Sequence, residues 1–575
     1  MTHDAAGRRD FYVEIIKPSH YDDDGYVIQW QWTFVPSNSL ACLYALADDV
    51  GQRGALGDDV DVVVNSYDES STVIPVRKII RRIHARGGRG VVLLAGVQTN
   101  QFPRAADLAR QFRAAGIPVV IGGFHVSGSI AMLSELPAEL RDLQAMGVSL
   151  FAGEAESRME GLLADAYHDR LKPLYNYLKE LPELQGQVVP FLPREVAGRS
   201  MFYAPFDAGR GCPFECSFCT IINVQGRRSR WRSADDVERL VRANAAQGMR
   251  RFFITDDNLA RNKNWEAIFD RLIALREQEG LRIKLTIQVD MMCHKIPGFV
   301  EKAVRAGCTR VFLGLENINP ENLAAAGKRQ NQIGQYRVML QAWRSRGVIT
   351  YAGYILGFPS DTPESIRRDI RTIQNELPVD ILEFFILTPL PGSADHKAML
   401  QRGQWMEPDL NRYDVEHVTT RHPRMSEQQW GDIYDRAWHL YYSPQHVETL
   451  LRRACAGGAG TSHLAAAIMV YYGSYRFHRI HALQAGLLRR KVRATRRPGS
   501  PPENPLFFCV RRAWETLSSS VGLGMYWLWL ERLRKRVRRN PSAKAYTDAA
   551  LGGNDCDGAG ALVDGTPAGE AAEAA

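Results

Sequence analysis

The chain has 575 residues, 45% hydrophobic, 24% charged and 9% aromatic, the profile of a soluble globular protein with material for several cores. No run of about 18 uninterrupted apolar residues occurs and residues 1–10 are mostly polar, so neither a spanning helix nor a secretory leader is predicted, and a cytoplasmic protein is expected. The formal charge of +8 hides an asymmetry, because residues 450–545 hold 19 Lys or Arg against three acidic residues, and an anionic partner is expected to meet that part.

In chain order, residues 11–156 alternate short apolar strands (YVEIIK, VDVVVNSY, GVVLLAGV, IPVVIGG, VSLFAGEAE) with helices near 76–86 and 105–115. Strands apolar enough to be buried on both sides predict a doubly wound parallel sheet with helices on both faces. The segment 19–32, SHYDDDGYVIQWQW, follows the first strand, either as an aromatic wall of a ligand cavity or as a solvated acidic turn before an amphipathic element. A linker at 172–193 leads to a second series, RFFITDDN, LRIKLTIQVD, RVFLGLEN, ITYAGYILGF and ILEFFILTPL. The helices expected between them cover 234–247, 265–278, 297–306 and 333–347. This repeat predicts a barrel or partial barrel with ligands at the C-terminal strand ends. After about Arg412 the pattern turns helical, with an amphipathic stretch at 427–453 and aromatic patches at 464–475 and 521–530. The end of the chain is small and polar or acidic. The expected organisation is a sheet domain with linker over 1–195, a barrel core over 196–411, a basic helical region over 412–540 and a disordered tail over 541–575.

Nine cysteines are too few and too unevenly placed for a disulfide framework, yet Cys212, Cys216 and Cys219 fall within eight residues in GRGCPFECSFC. Three thiolates on one loop can hold three irons of a cubane cluster and leave the fourth open. A zinc site completed from a distance and incidental cysteines are the alternatives.

With Phe218 just before the third cysteine, this loop resembles the radical S-adenosylmethionine (SAM) enzymes, and the resemblance extends over about 206–393. It implies a 4Fe-4S cluster on Cys212, Cys216 and Cys219 whose open iron chelates SAM, and whose electron splits SAM to methionine and a 5′-deoxyadenosyl radical. Carried over residue by residue, it implies SAM contacts from Phe218, Asp256, Asp257, Asn258, Gln288, Asp290, Glu316 and Gly357. A helix cap at Asp or Asn, a solvated strand-end carboxylate at Glu316 and turn punctuation at Gly357 are the alternatives.

The N-terminal strand ends AGVQTNQFP, IGGFHVSG and FAGEAE resemble the cobalamin-binding domain that precedes the radical core in one subclass, typified in layout by the anaerobic magnesium-protoporphyrin ester cyclase and hopanoid methylases. Glycines there would admit close backbone approach and small polar groups would hydrogen-bond the corrin. The implied cobalamin contacts are Gln98, Thr99, Asn100, Gly122, Gly123, His125, Gly153 and Glu154. The D-x-H-x-x-G loop of many cobalamin proteins is absent from the sequence. His20 and His125 are ligands in principle, or ordinary loop histidines.

The fold class expected is therefore α/β: a cobalamin-binding-like sheet, a radical SAM partial TIM barrel and a C-terminal helical region. The function expected is methyl transfer to, or cyclisation at, an unactivated carbon of a small-molecule, lipid-like or tetrapyrrole-like substrate, with an external electron donor such as flavodoxin or ferredoxin. A radical SAM enzyme without cobalamin and, disfavoured, an iron-sulfur sensor or nucleic-acid-binding protein are the alternatives. RRKVRATRR and ERLRKRVRR beside IMVYYGSY and MYWLWL suit contact with an anionic membrane, against a core helix with a solvated basic face. Nucleic acid is the less favoured partner. No catalytic acid or base is identified.

Overall fold

The computed structural model describes residues 9–34, 37–85, 88–201, 203–328, 330–458 and 460–552. The strands in chain order are β1 (Arg9–Lys17), β2 (Gln29–Thr33), β3 (Val60–Asp68), β4 (Arg89–Leu94), β5 (Val119–Gly122), β6 (Ser149–Ala152), β7 (Leu174–Asn176) and β8 (Tyr203–Phe206). They continue with β9 (Gly209–Arg210), β10 (Arg230–Trp231), β11 (Arg251–Ile254), β12 (Lys284–Val289), β13 (Cys308–Glu316), β14 (Ile349–Leu356), β15 (Ile381–Ile386) and β16 (Gly486–Arg490).

The first sheet is parallel throughout, in the order β3-β1-β4-β5-β6-β7. Successive side chains on a strand point to opposite faces. Phe11, Val13 and Ile15 of β1 with Val91 and Leu93 of β4 therefore meet the helix Asn38–Gln52 through Leu40, Leu46 and Val50. Ile16, Val92 and Leu94 enter a separate core with Ile79 and Ile83 of the helix Val76–His84 and Leu108 and Phe112 of the helix Phe102–Ala114. Burial on both faces is why these strands read as continuous apolar runs. The winding reverses between β1 and β4, which opens a crevice at their C-terminal ends.

The second sheet is also parallel, β8-β11-β12-β13-β14-β15, six strands of a partial barrel. Leu285, Ile287 and Val289 of β12 are buried in the main core, while Thr286 and Gln288 on the opposite face are only half-buried. The helices follow their caps: Ser233 and Asp236 form a reciprocal capping box at the start of Ala234–Ala246, as do Thr362 and Ser365 at Pro363–Glu376.

Four expectations change. The stretch 427–453 is two helices, Glu427–Tyr441 and Pro444–Ala456, because Ser443 caps the second and Pro444 occupies its first turn. The patch at 464–475 is core: Tyr472 and Tyr475 of the helix Thr461–His478 are buried and stack on Tyr442 and Trp438 at 4.9 and 4.7 Å. The region 412–540 is neither wholly helical nor separate. Its β16 pairs antiparallel with β2, Arg489 opposite Trp30, and its basic run turns inward onto the acidic turn. Arg489 bonds Asp22 at 2.9 Å, Lys491 bonds Asp24 at 3.0 Å, and Arg497 bonds Asp409 at 2.6 Å. Finally, the expected free tail packs over 541–552: Asp548 pairs with buried Arg453 at 2.7 Å and Ala550 is buried. The rest of that tail lies outside the described residues. Among the described residues no helix is long and apolar enough to cross a membrane.

Candidate active site

The cysteine loop is an excursion from the first barrel strand. β9 and β10 pair antiparallel and close its base, so residues 211–229 leave the sheet and return to it. Gly211 has φ +88°, and a Cβ there would lie 2.5 Å from the Arg228 carbonyl oxygen, so glycine is required at the loop's first turn. Above it the Cys212 amide donates to the Gly226 carbonyl at 3.2 Å, and the Cys219 amide donates to the Cys216 carbonyl at 3.1 Å. The Ser217 amide donates to Ala326 O at 3.0 Å, which anchors the outer turn to the segment after β13.

Burial pushes the Cys219 thiol up to about 12 and raises Cys212, in both cases against the lowering effect of backbone N–H groups aimed at the sulfur. Among the described residues no three His, Cys, Asp or Glu side chains stand close enough to share one metal ion. A cubane asks for something different, since each cysteine meets its own iron and the sulfurs stand wider apart. Three cysteines on one amide-rich loop fit that cluster.

Around the loop the barrel strand ends supply polar groups. Asp256 accepts from the amides of Ala208 at 2.6 Å and Gly209 at 2.9 Å, and from Asn262 at 3.0 Å, so it fixes the start of the loop. Burial raises its pKa to about 7, only partly offset by those bonds. Burial likewise raises half-buried Asp257 to about 7, against Arg210, and its charge is felt by Cys212 and Cys219. Asn258 and Asp290 tie β11 to β12 at 3.0 Å, and Arg261 grips Asp290 with two bonds of 2.6 and 3.0 Å. Gln288 lies one turn of the pleat before Asp290 and is half-buried.

Glu316, ending β13, has φ +61°, an unusual backbone for a non-glycine residue, and its carboxylate pairs with Lys328. Lys328 stands 5.8 Å over the Phe218 ring, so the third-cysteine aromatic and the β13 glutamate share one cation. The glycine at 357 has its own cause: φ is +106° and a Cβ would lie 1.8 Å from the Trp430 ring, whose indole N–H donates to Leu356 O at 3.2 Å.

The first sheet faces this loop across a cavity of about 550 Å³. Thr99, Asn100 and Gly96 line one wall, Thr220 and Ile221, next to Cys219, another, and Phe385 of β15 a third. A smaller apolar cavity of about 170 Å³ opens between Leu46 of the helix Asn38–Gln52 and Leu93, Val120 and Phe151 of the sheet, with Gly122, Gly123 and Gly153 at its rim. A Cβ on Gly123 would lie 2.1 Å from Val97 N and one on Gly153 3.0 Å from the Tyr177 backbone. Gln98 and Gln101 cap the short turn that presents Thr99 and Asn100. Glycine at 123 and 153 is therefore required by the chain's own backbone, and the strand ends beside them open onto the two cavities, where a group seated at the sheet edge meets small side chains.

His125 does not line either cavity. The helix Phe124–Met132 turns it into the core, 4.4 Å from the Phe102 ring and 3.4 Å from the Thr99 hydroxyl, and burial lowers its pKa to about 3. Two histidines line the large cavity, His481 and His20, the latter held neutral by burial at about 4. Glu154 is committed to ion pairs, with Arg210 at 2.6 Å and Arg230 at 2.5 Å.

Those pairs belong to a buried junction that sequence reasoning missed. Arg210, inside the cysteine motif, also bonds Glu156 at 2.6 Å and Asp207 at 3.1 Å, while Arg232 bonds Asp207 at 3.2 Å. Burial pushes the Asp207 carboxyl up, but Arg210 and Arg232 outweigh it and hold it well below the usual carboxylate range. The arginines at 210, 230 and 232 were the available signal. A second pair that the sequence does not join is Glu383, a strand-end carboxylate, and His481, both buried, with 3.8 Å between carboxylate and ring and His481 on the cavity wall.

Residues 208–373 match the family model of the Radical SAM superfamily. The chain is 27% identical over 344 residues to bacteriochlorophyllide d C-8(2)-methyltransferase of Chlorobaculum tepidum, covering 57% of this chain and 72% of the relative. It is 23% identical over 354 residues to the hopanoid C-2 methylase of Rhodopseudomonas palustris, covering 60% and 63%. In fold it is similar to a radical S-adenosylmethionine methyltransferase from Kitasatospora setae solved with cobalamin and a 4Fe-4S cluster, with a TM-score of 0.58 at 15% identity over 79% of this chain and 97% of that one.

Proposed function

We propose, from the premise that residues 208–373 form a radical SAM domain and the chain is a radical SAM enzyme, that it is a cobalamin-dependent methyltransferase acting on carbon of a small molecule. The observation that carries this reading is the cavity of about 550 Å³ walled by Thr99 and Asn100 on one side and by Thr220 and Ile221 beside Cys219 on the other. A cofactor seated against the first sheet and a ligand on the cysteine loop would there share one cavity.

In this reading Cys212, Cys216 and Cys219 hold the cluster. Asp257, Gln288 and Glu316 stand at the strand ends that would receive SAM, with the Glu316 charge balanced by Lys328. Asp256, Asn258 and Asp290 act through the backbone they brace. Thr99, Asn100, Gly122, Gly123 and Gly153 would hold cobalamin, with His20 and His481 as the histidines on the cavity wall. When bound, the cluster delivers the electron that cleaves SAM and cobalamin supplies the methyl group. The protein's own part is to hold these groups in register, with Phe385, Leu390 and Pro391 supplying an apolar stretch of the cavity wall. The electron comes from an external donor such as flavodoxin or ferredoxin. A lipid-like or tetrapyrrole-like substrate is supported by the relatives named for a hopanoid and a bacteriochlorophyllide.

The test is iron and cobalt content of anaerobically reconstituted protein after incubation with hydroxocobalamin, followed by reduction with methyl-labelled SAM. The expected result is about four irons and one cobalamin per chain, with 5′-deoxyadenosine released and label passing to an acceptor from the producing cell's extract. Cobalt-free protein, or SAM cleavage without label transfer to any acceptor, would overturn the reading.

A further inference from the structure

The helix Pro505–Arg539 leaves a face uncovered. On one side it is packed: Leu530, Leu533 and Val537 are buried, Tyr526 lies 5.7 Å from Tyr472, and Gly522 is so close to Phe477 that a Cβ would approach its ring to 2.5 Å. On the other side Phe507, Val510, Trp514, Leu517, Val521, Met525 and Leu528 are exposed, from 51% at Val521 to 76% at Phe507. Their spacing of three and four residues places them in one stripe, about 33 Å long at 1.5 Å per residue. The same stripe runs on into Arg532, Lys535, Arg536 and Arg539, all exposed. No acidic residue lies on it, since Glu515 and Glu531 belong to the flank, paired with Arg512 and Arg534.

We infer that this face docks on an anionic lipid bilayer, the apolar stripe lying in the interface and the four cations meeting headgroups. An amphipathic helix that lies in the interface buries its apolar face by about 5–10 Å, which side chains of this size can reach. It lies flat because its opposite face is occupied by the protein and no helix among the described residues is long and apolar enough to span. A second copy fits less well. Parallel pairing would align the four cations with their equivalents, and antiparallel pairing centred on the stripe would carry them past Pro505, where the nearby carboxylate, Glu503, already bonds Tyr26 and Arg511. The inference is independent of the chemistry proposed above.

The test is flotation of the full chain with vesicles of phosphatidylcholine mixed with phosphatidylglycerol, and with pure phosphatidylcholine vesicles. The protein should float with the mixed vesicles, less with the neutral ones, and less again as salt is raised. Arg536→Gln and Arg539→Gln should each lower partitioning about fivefold. Trp514→Glu combined with Leu517→Glu should abolish flotation while melting temperature and circular dichroism are unchanged, because both positions face solvent. Native protein that does not float with the mixed vesicles, or a double variant that floats as well as the native chain, would overturn the inference. So would a solution dimer that the double variant dissociates, which would assign the face to a second copy.

Discussion

Glu383 sits on the concave face of β15 opposite Gly353, and neither carboxylate oxygen has a hydrogen-bond partner among the described residues. Burial raises its pKa to about 8. The neighbouring His481 is lowered by burial to about 4, and Tyr351 is raised to about 12, so neither titrates near neutrality. The sign follows from linkage. Glu383 binds its proton more tightly folded than unfolded, so its contribution is full below about 4.5 and is lost as pH rises through about 8. Glu383→Gln should therefore gain stability relative to the native chain between pH 6 and 8.5, by about 1 kcal/mol or more at the upper end. Urea denaturation at the two pH values measures it, and the difference between the two proteins removes the background from His417, which partners Asp23 and Asp414. An identical pH slope in the variant would show that the carboxyl is solvated.

At the scale of elements, the cysteine loop shows how a flexible excursion is fixed from outside itself. Its base is clamped by the β9–β10 pair, its first amides by Asp256 from the end of β11, and its outer turn by Ala326 O. Hydrogen bonds to a charged acceptor contribute about 1.5–3 kcal/mol each. Asp256→Ala should lower iron bound per chain severalfold after reconstitution, whereas Asp256→Asn, which keeps one oxygen for the two loop amides, should keep most of it. Equal loading in both variants would show that the loop does not depend on this side chain.

At the scale of the whole molecule, two contacts hold distant segments together. Arg210 joins the cysteine loop to Glu154 and Glu156 after β6, bridging the two sheets. Removing one partner of a buried pair costs about 3–5 kcal/mol because the other charge stays buried. Arg210→Met should lower stability by about that amount and speed proteolysis in the segment 177–193 that follows β7, with unchanged proteolysis showing that the sheets do not rely on the pair. The chain end contributes separately. Asp548 pairs with Arg453, and Gln341 donates to Ala550 O and Gly552 O, both at 3.2 Å. Truncation after Asn540 should melt earlier than truncation after Gly552, by an amount corresponding to about 2–4 kcal/mol. Coincident melts would mean that this segment adds nothing.

Periodicity and spacing were sufficient for five strands of each parallel sheet and for the single loop that gathers Cys212, Cys216 and Cys219, whereas the short edge strands β7, inside the stretch read as a linker, and β8 carry too few residues to show a pattern. The legible features are local: a strand buried on both faces must be apolar throughout, and a three-cysteine loop is complete within eight residues. What packing alone decided is non-local. Whether His20 or His125 faces the cavity depends on how the helix Phe124–Met132 is rolled against Phe102. Gly357 is required by Trp430, 73 residues further on, and the basic run at 489–497 is drawn inward by Asp22 and Asp24, more than 460 residues earlier. Charge composition could say that an excess of cations exists near the C-terminus, but only the tertiary structure separates those neutralised by the acidic turn from those left on the outer face of the last long helix. A side chain's partner is set by the fold that brings the two together, and no local pattern along the chain carries that distance.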